Sequence, residues 1–158
     1  MHRLAKVAVA VSAGALVLTG CTSTDEPRGP QGPTGYELAT TLENGAHVWW
    51  DRGDESGMTD LIVTRGAGGV IDSCLGKAPL LCFVGPEESR MALIIAPPQA
   101  TGGVVHYFGE DIPLQLGTGP TAEQDAVLAA SMPPEHLDDA AGWTYEVVDA
   151  AGGVVMSR

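Results

Sequence analysis

The chain has 158 residues, 20 of them acidic against 8 basic, and a formal net charge of −12. Such a balance argues against nucleic-acid binding, which needs a basic face to neutralise phosphates, and against a domain lying flat on anionic lipid. Solubility and self-repulsion are sufficient reasons for the charge, and the length allows one domain with its own core.

The N-terminus carries Arg3 and Lys6, followed by twelve mostly apolar residues, Val7 to Leu18. A charged opening and an apolar stretch of this size have the layout of a secretory signal. A helix that crosses a bilayer needs about 20 such residues. The stretch ends in Leu18-Thr19-Gly20-Cys21, which resembles the lipobox of bacterial lipoproteins: a Leu, two small residues and an invariant Cys. The resemblance covers only these first residues. It implies that residues 1–20 are a signal peptide cut off before Cys21, and that the Cys21 thiol carries a diacylglyceryl group. The implied location is the extracytoplasmic face of a bacterial membrane. Stable anchoring takes two signals, because one acyl chain gives only marginal binding of about 10⁴ M⁻¹; a diacylglyceryl group brings two chains on one sulfur. From Cys21 onward six basic residues face 20 acidic ones, a formal charge of −14. Lysine occurs only at 6 and 77 and asparagine only at 44, a bias that looks like that of a GC-rich bacterial genome.

Residues 22–35, "TSTDEPRGPQGPTG", offer no apolar side chain to bury. They are expected to form a flexible tether with a span of about 20 Å. From Tyr36 onward, short apolar runs alternate with Gly, Pro, Asp and Asn clusters, the pattern of many strands joined by turns. "YELATTL" and "HVWW" flank Asn44-Gly45, a strong hairpin signal. "MTDLIVTR" and "GVIDS" flank "GAGG"; "RMALIIA" ends at Pro97-Pro98; "GVVHYF" opens at Gly102-Gly103; "DIPLQL" precedes "GTGP". "WTYEVV" and "GVVMS" around "DAAGG" make a closing hairpin. Two stretches have helical features. Thr121 and Gln124 form a possible capping box ahead of "AVLAAS", although 121–131 reads equally as a strand, and "PPEHLDDAAG" has Pro134 at a first turn and Gly142 at the stop. The sum is an all-β fold: one antiparallel, sandwich-like domain over 36–158 with at most two short helices.

Cys74 and Cys82 remain as an even pair once Cys21 is assigned to lipid. Export permits disulfides, so the expected bridge closes "CLGKAPLLC". A loop of this size gains roughly 2.5 kcal/mol in the chain-entropy model. The spacing is not that of a zinc site.

Trp49 and Trp50 are neighbours on a presumed strand, so their rings point to opposite faces. One is expected in the core and the other exposed or under a loop. With Asp51 and Asp54 they make a candidate partner-binding surface. The same loop holds Arg52-Gly53-Asp54, and its acids Asp51, Asp54, Glu55 and Asp60 do not follow the EF-hand spacing. "GTGPTA" (117–122), with Asp138 about twenty residues on, lacks the βαβ unit of a dinucleotide site and reads as a turn. His47, His106 and His136 are dispersed, with no His-Glu-x-x-His and no Gly-x-Ser-x-Gly elbow.

No catalytic residue, cofactor or metal ligand is therefore assigned. The reading is an envelope lipoprotein whose membrane-tethered β-domain binds an envelope protein, peptide or wall polymer, and no nucleic acid. Two alternatives remain: a small extracytoplasmic hydrolase or metal-dependent enzyme on the same sandwich, and a solute-capture lipoprotein.

Overall fold

The computed structural model describes residues 29–51, 57–66, 69–117, 124–134 and 142–158. Four strands, β1 (Tyr36–Thr41), β2 (Ala46–Asp51), β3 (Thr59–Arg65) and β4 (Gly69–Gly76), form an antiparallel meander in chain order. The Asn44-Gly45 signal is the β1–β2 turn. Gly45 takes φ +78°, a conformation that costs a residue without Cβ little, and the Asn44 side-chain oxygen accepts from the Ala46 amide at 3.0 Å.

The remaining strands are β5 (Leu80–Val84), β6 (Met91–Ala96), β7 (Ala100–Tyr107), β8 (Glu110–Leu116), β9 (Ala126–Ser131), β10 (Trp143–Asp149) and β11 (Val154–Ser157). They make a second antiparallel sheet in the order β11-β10-β7-β8-β9-β6-β5. The closing hairpin is β10–β11, in the expected place.

The second sheet doubles back at β8. Residues 110–114 of that strand pair with β7, whereas only Gln115 and Leu116 pair with β9. Strands β7, β10 and β11 consequently cover one face of β6 and β9, while the meander covers the other. Two apolar clusters record this. Met91, Leu93 and Ile95 of β6 pack with Val48, Trp50, Leu61 and Val63 of the meander. Ala92, Ile94 and Ala96 pack with Val105, Tyr107, Tyr145 and Val147 on the other side. All six β6 residues are 0% exposed. The all-β, sandwich-like domain thus has three layers, with β6 and β9 in the middle.

Several details go beyond the sequence reading or settle an alternative it left open. Residues 126–131 are a strand, because β9 must pair with β6 over its whole length, from Ala96↔Ala126 to Met91↔Ser131; that ladder outweighs any helical tendency of "AVLAAS". β5 is not evident from the sequence, since "LLCFV" reads as part of the disulfide loop. β7 begins at Ala100, so Gly102 and Gly103 lie inside the strand. A Cβ at Gly103 would meet the Glu146 carbonyl oxygen, which explains a glycine where β7 and β10 run side by side. The helical features around 121–123 and 135–141 lie outside the described residues. The only helical turn among the described residues is the 3-10 segment Glu87–Ser89.

The middle layer makes a direct prediction. Leu93→Ala and Ile94→Ala point into opposite clusters, and each should cost about 2–5 kcal/mol in urea unfolding. In a two-layer sandwich one of the two would face water and cost almost nothing.

Candidate functional site

The sequence placed its candidate surface at Trp49, Trp50, Asp51 and Asp54. The strand alternation holds: Trp50 points into the first core cluster and Trp49 away from it. Neither ring is exposed, however, with Trp49 at 4% and Trp50 at 3%. Of the two expected positions for the second indole, exposed or under a loop, the structure has the covered one. Trp49 lies on the outer face of the meander in a cross-strand row with Leu38 and Ile62. Its Nε1 donates to the buried Thr64 hydroxyl at 2.8 Å, which satisfies the one polar atom of the indole. The His47 ring meets it edge-on with centroids 6.1 Å apart. Gly32 lies against the six-membered ring, so close that a Cβ at position 32 would overlap Cε3, Cζ3 and Cδ2. The domain-side end of the expected tether is in contact with the sheet.

One row along, Asp51 and Asp60 sit opposite each other, and Tyr36 sits opposite Asp51. Like charges directly across a ladder repel. The Tyr36 hydroxyl donates to Asp60 Oδ2 at 2.7 Å. That hydrogen bond, together with burial and the charges of Asp60 and Asp51, pushes the phenol up to about 12. Asp54, with the rest of the Arg52-Gly53-Asp54 loop, lies outside the described residues, as does Cys21.

Cys74 and Cys82 are joined, with Cα atoms 6.2 Å apart, inside the normal range for a disulfide. The metal reading of this pair falls away. The bridge does more than close a loop, because Cys74 belongs to β4 and Cys82 to β5. It fastens the last strand of the meander to the terminal strand of the second sheet. Within the loop, the Ala78 amide donates to Asp125 Oδ2 at 3.1 Å, which ties the corner to the segment before β9.

His47 and His106 do not converge. His47 is on the outer face of the meander, where its Nδ1 lies 2.9 Å from the Thr41 hydroxyl. His106 is on the outer face of the third layer, 2.6 Å from Asp111 Oδ1, with the two side chains 39% and 73% exposed. His136 lies outside the described residues. Thr144 stands across from His106 on β10, so an acid, an imidazole and a hydroxyl share one open face without walls to exclude water. A cleft lined by Glu43, Ile112, Pro113, Gln115, Ala130 and Ser131 encloses about 80 Å³, far below the roughly 300–1,000 Å³ of a ligand pocket. Among the described residues no cluster of three or more His, Cys, Asp or Glu could hold a metal ion, and no helix is long and apolar enough to cross a membrane.

Sequence reasoning missed an aromatic cluster that joins the second and third layers. Phe83 of β5 meets Trp143 of β10 edge-on at 4.9 Å, Trp143 stacks on Tyr145 at 6.3 Å, and the Arg158 guanidinium lies 4.0 Å from the Trp143 ring centre. Burial pushes the Tyr145 phenol up. No local pattern links residues this far apart in the chain. Comparison with known proteins finds no matching family, no matching curated protein and no matching solved structure.

Two measurements follow from this geometry. Tyr36 should ionise near 12, and Asp60→Asn should bring it back toward 10 in a ¹³C-detected tyrosine titration. A folded-state value above the unfolded one means that this contribution to stability is complete below pH 10 and is lost as pH rises through the folded value. Separately, Cys74→Ser/Cys82→Ser should lose about 2–3 kcal/mol of unfolding free energy, read as a lower denaturation midpoint with little change in slope.

Proposed function

We propose that this chain is a bacterial cell-envelope lipoprotein, held to the extracytoplasmic face of a membrane by lipid on Cys21. Its three-layer β-domain is a non-enzymatic binding module for an envelope protein, peptide or wall polymer. The observation that carries the reading is Leu18-Thr19-Gly20-Cys21 directly after a charged opening and a short apolar run. The Cys74–Cys82 bridge supports it, because persistent disulfides belong to oxidising compartments outside the cytoplasm. The acidic balance also suits a domain that stands off an anionic lipid surface.

Support for binding over catalysis comes from the terminal strands. Val70 and Leu75 on β4 and Val154 on β11 are more than half exposed, and each strand ends its sheet in the topology. Such edges can accept an extended segment of a partner through main-chain hydrogen bonds.

Mass spectrometry of the membrane-extracted protein should find a chain that starts at Cys21 with a diacylglyceryl mass added. Cys21→Ser should leave the protein uncleaved or released from the membrane. An intact Met1 and an unmodified thiol in the membrane fraction would refute the anchor. Crosslinking of the lipidated protein in its own envelope then tests the binding role.

A further inference from the structure

The chain ahead of β1 folds back over the meander. The Tyr36 amide donates to the Pro33 carbonyl at 3.2 Å, and Gly35 takes φ +92°. This reversal carries Gly32 onto Trp49, at the centre of the Leu38–Trp49–Ile62 row. Only glycine fits at that approach, since any Cβ would occupy the ring. Pro30 and Pro33 flank the contact. Each fixes its own φ, which lowers the conformational freedom lost when the segment is held down. A large indole on a sheet's outer face would ordinarily be an exposed apolar patch, yet here its ring is covered and its N–H is bonded to Thr64.

We infer that residues 30–35 are a strap docked on the Trp49 face, and that it turns this face of the domain toward the membrane. The strap moves the root of the tether from the edge strand β1 to the middle of the meander's outer face. From Cys21 to Gly32 the chain can reach at most about 40 Å when fully extended. The outer face of β7, β10 and β11 lies two layers away, about 20 Å further on, and is directed outward. The strap itself is independent of the lipid anchor proposed above. The orientation rests on it.

The full-length lipidated protein tests both parts. By NMR in nanodiscs, the Gly32 Hα protons should show NOEs to Hε3 and Hζ3 of Trp49, with ring-current-displaced shifts. Gly32→Val should abolish both and leave the dispersed β-sheet resonances in place. Absence of these NOEs from the unaltered protein overturns the strap. For orientation, a fluorophore is placed on Val70→Cys, on the meander's outer face, or on Thr144→Cys, on the third layer's outer face. In vesicles containing nitroxide-headgroup lipid, quenching should be several-fold stronger at 70 than at 144, and Gly32→Val should narrow the difference. Equal quenching with the diacylglyceryl mass present on Cys21 overturns the orientation. Absence of that mass overturns the anchor and the orientation together, while the NOEs still decide the strap.

Discussion

Burial of β6 on both faces is the constraint from which the rest of the architecture follows. "MALIIA" has no polar side chain, so every backbone N–H and C=O in it must be bonded to a neighbouring strand, and both faces need apolar cover. β5 and β9 supply the ladders on either side. One face is met by the meander, but a single sheet cannot supply the second cover without turning back on itself. β8 makes that turn by changing partner from β7 to β9 near Leu114. Pro113 has no N–H to give, and it falls on the part of β8 that β9 does not pair, where its presence is tolerated. Small residues on the second face, Ala92, Ala96, Ala126 and Ala130, leave room for Tyr107 and Tyr145 to fill the space between the layers.

With the middle layer fixed, its open flank becomes the weak point. β5 is bonded to β6 on one side only, and its residues 80–83 are only half-buried. Two different devices hold it. The Cys74–Cys82 bridge ties it to the meander, and the Phe83–Trp143 contact ties it to the third layer. A covalent link and an aromatic contact therefore converge on one five-residue strand, each across a gap that backbone hydrogen bonds do not span. The opposite flank closes more simply: Gly117, past the end of β8, lies against Ala39 of β1, where a Cβ would be tightly crowded.

The sequence made the local features legible and the layering opaque. Asn44-Gly45, the "DAAGG" turn and the cysteine pair each act through residues close in the chain, so spacing alone reveals them. Double burial does not act that way. A continuous apolar run such as "MALIIA" fits a fully buried strand but does not say what lies on either side. "AVLAAS" carries a capping signal ahead of it and still becomes a strand, because pairing with β6 outweighs local preference. The cover on Trp49 was hidden for a sharper reason. Alternation correctly set the two indoles on opposite faces, but the cover on the outer one comes from Gly32, a residue with no side chain to advertise contact. A Pro-Gly-rich stretch reads as tether by composition whether or not a flat ring lies within reach.

The two outer faces of the domain end up chemically unlike. On the meander, Leu38, Trp49 and Ile62 form an apolar row in which Trp49 and Ile62 are buried and Leu38 half-buried, with the strap lying on the indole. On the third layer, His106, Asp111, Thr144 and Glu146 share an open polar face, where a carboxylate and an imidazole are already paired at 2.6 Å. The part of the apolar face under the strap is occupied before any partner arrives. A polar face with satisfied pairs offers hydrogen bonds and charge but no pocket. Under the binding role proposed above, the sheet ends suit recognition better, because terminal strands and exposed valine or leucine side chains coincide there. Of these, β4 is held in place by the bridge at Cys74 and bent by an extra residue at Ile71. β11 has no such bridge, but it too carries an extra residue, at Val155. An extra residue in each terminal strand twists it away from indiscriminate strand addition, so under the binding role proposed above a partner would have to match that twist.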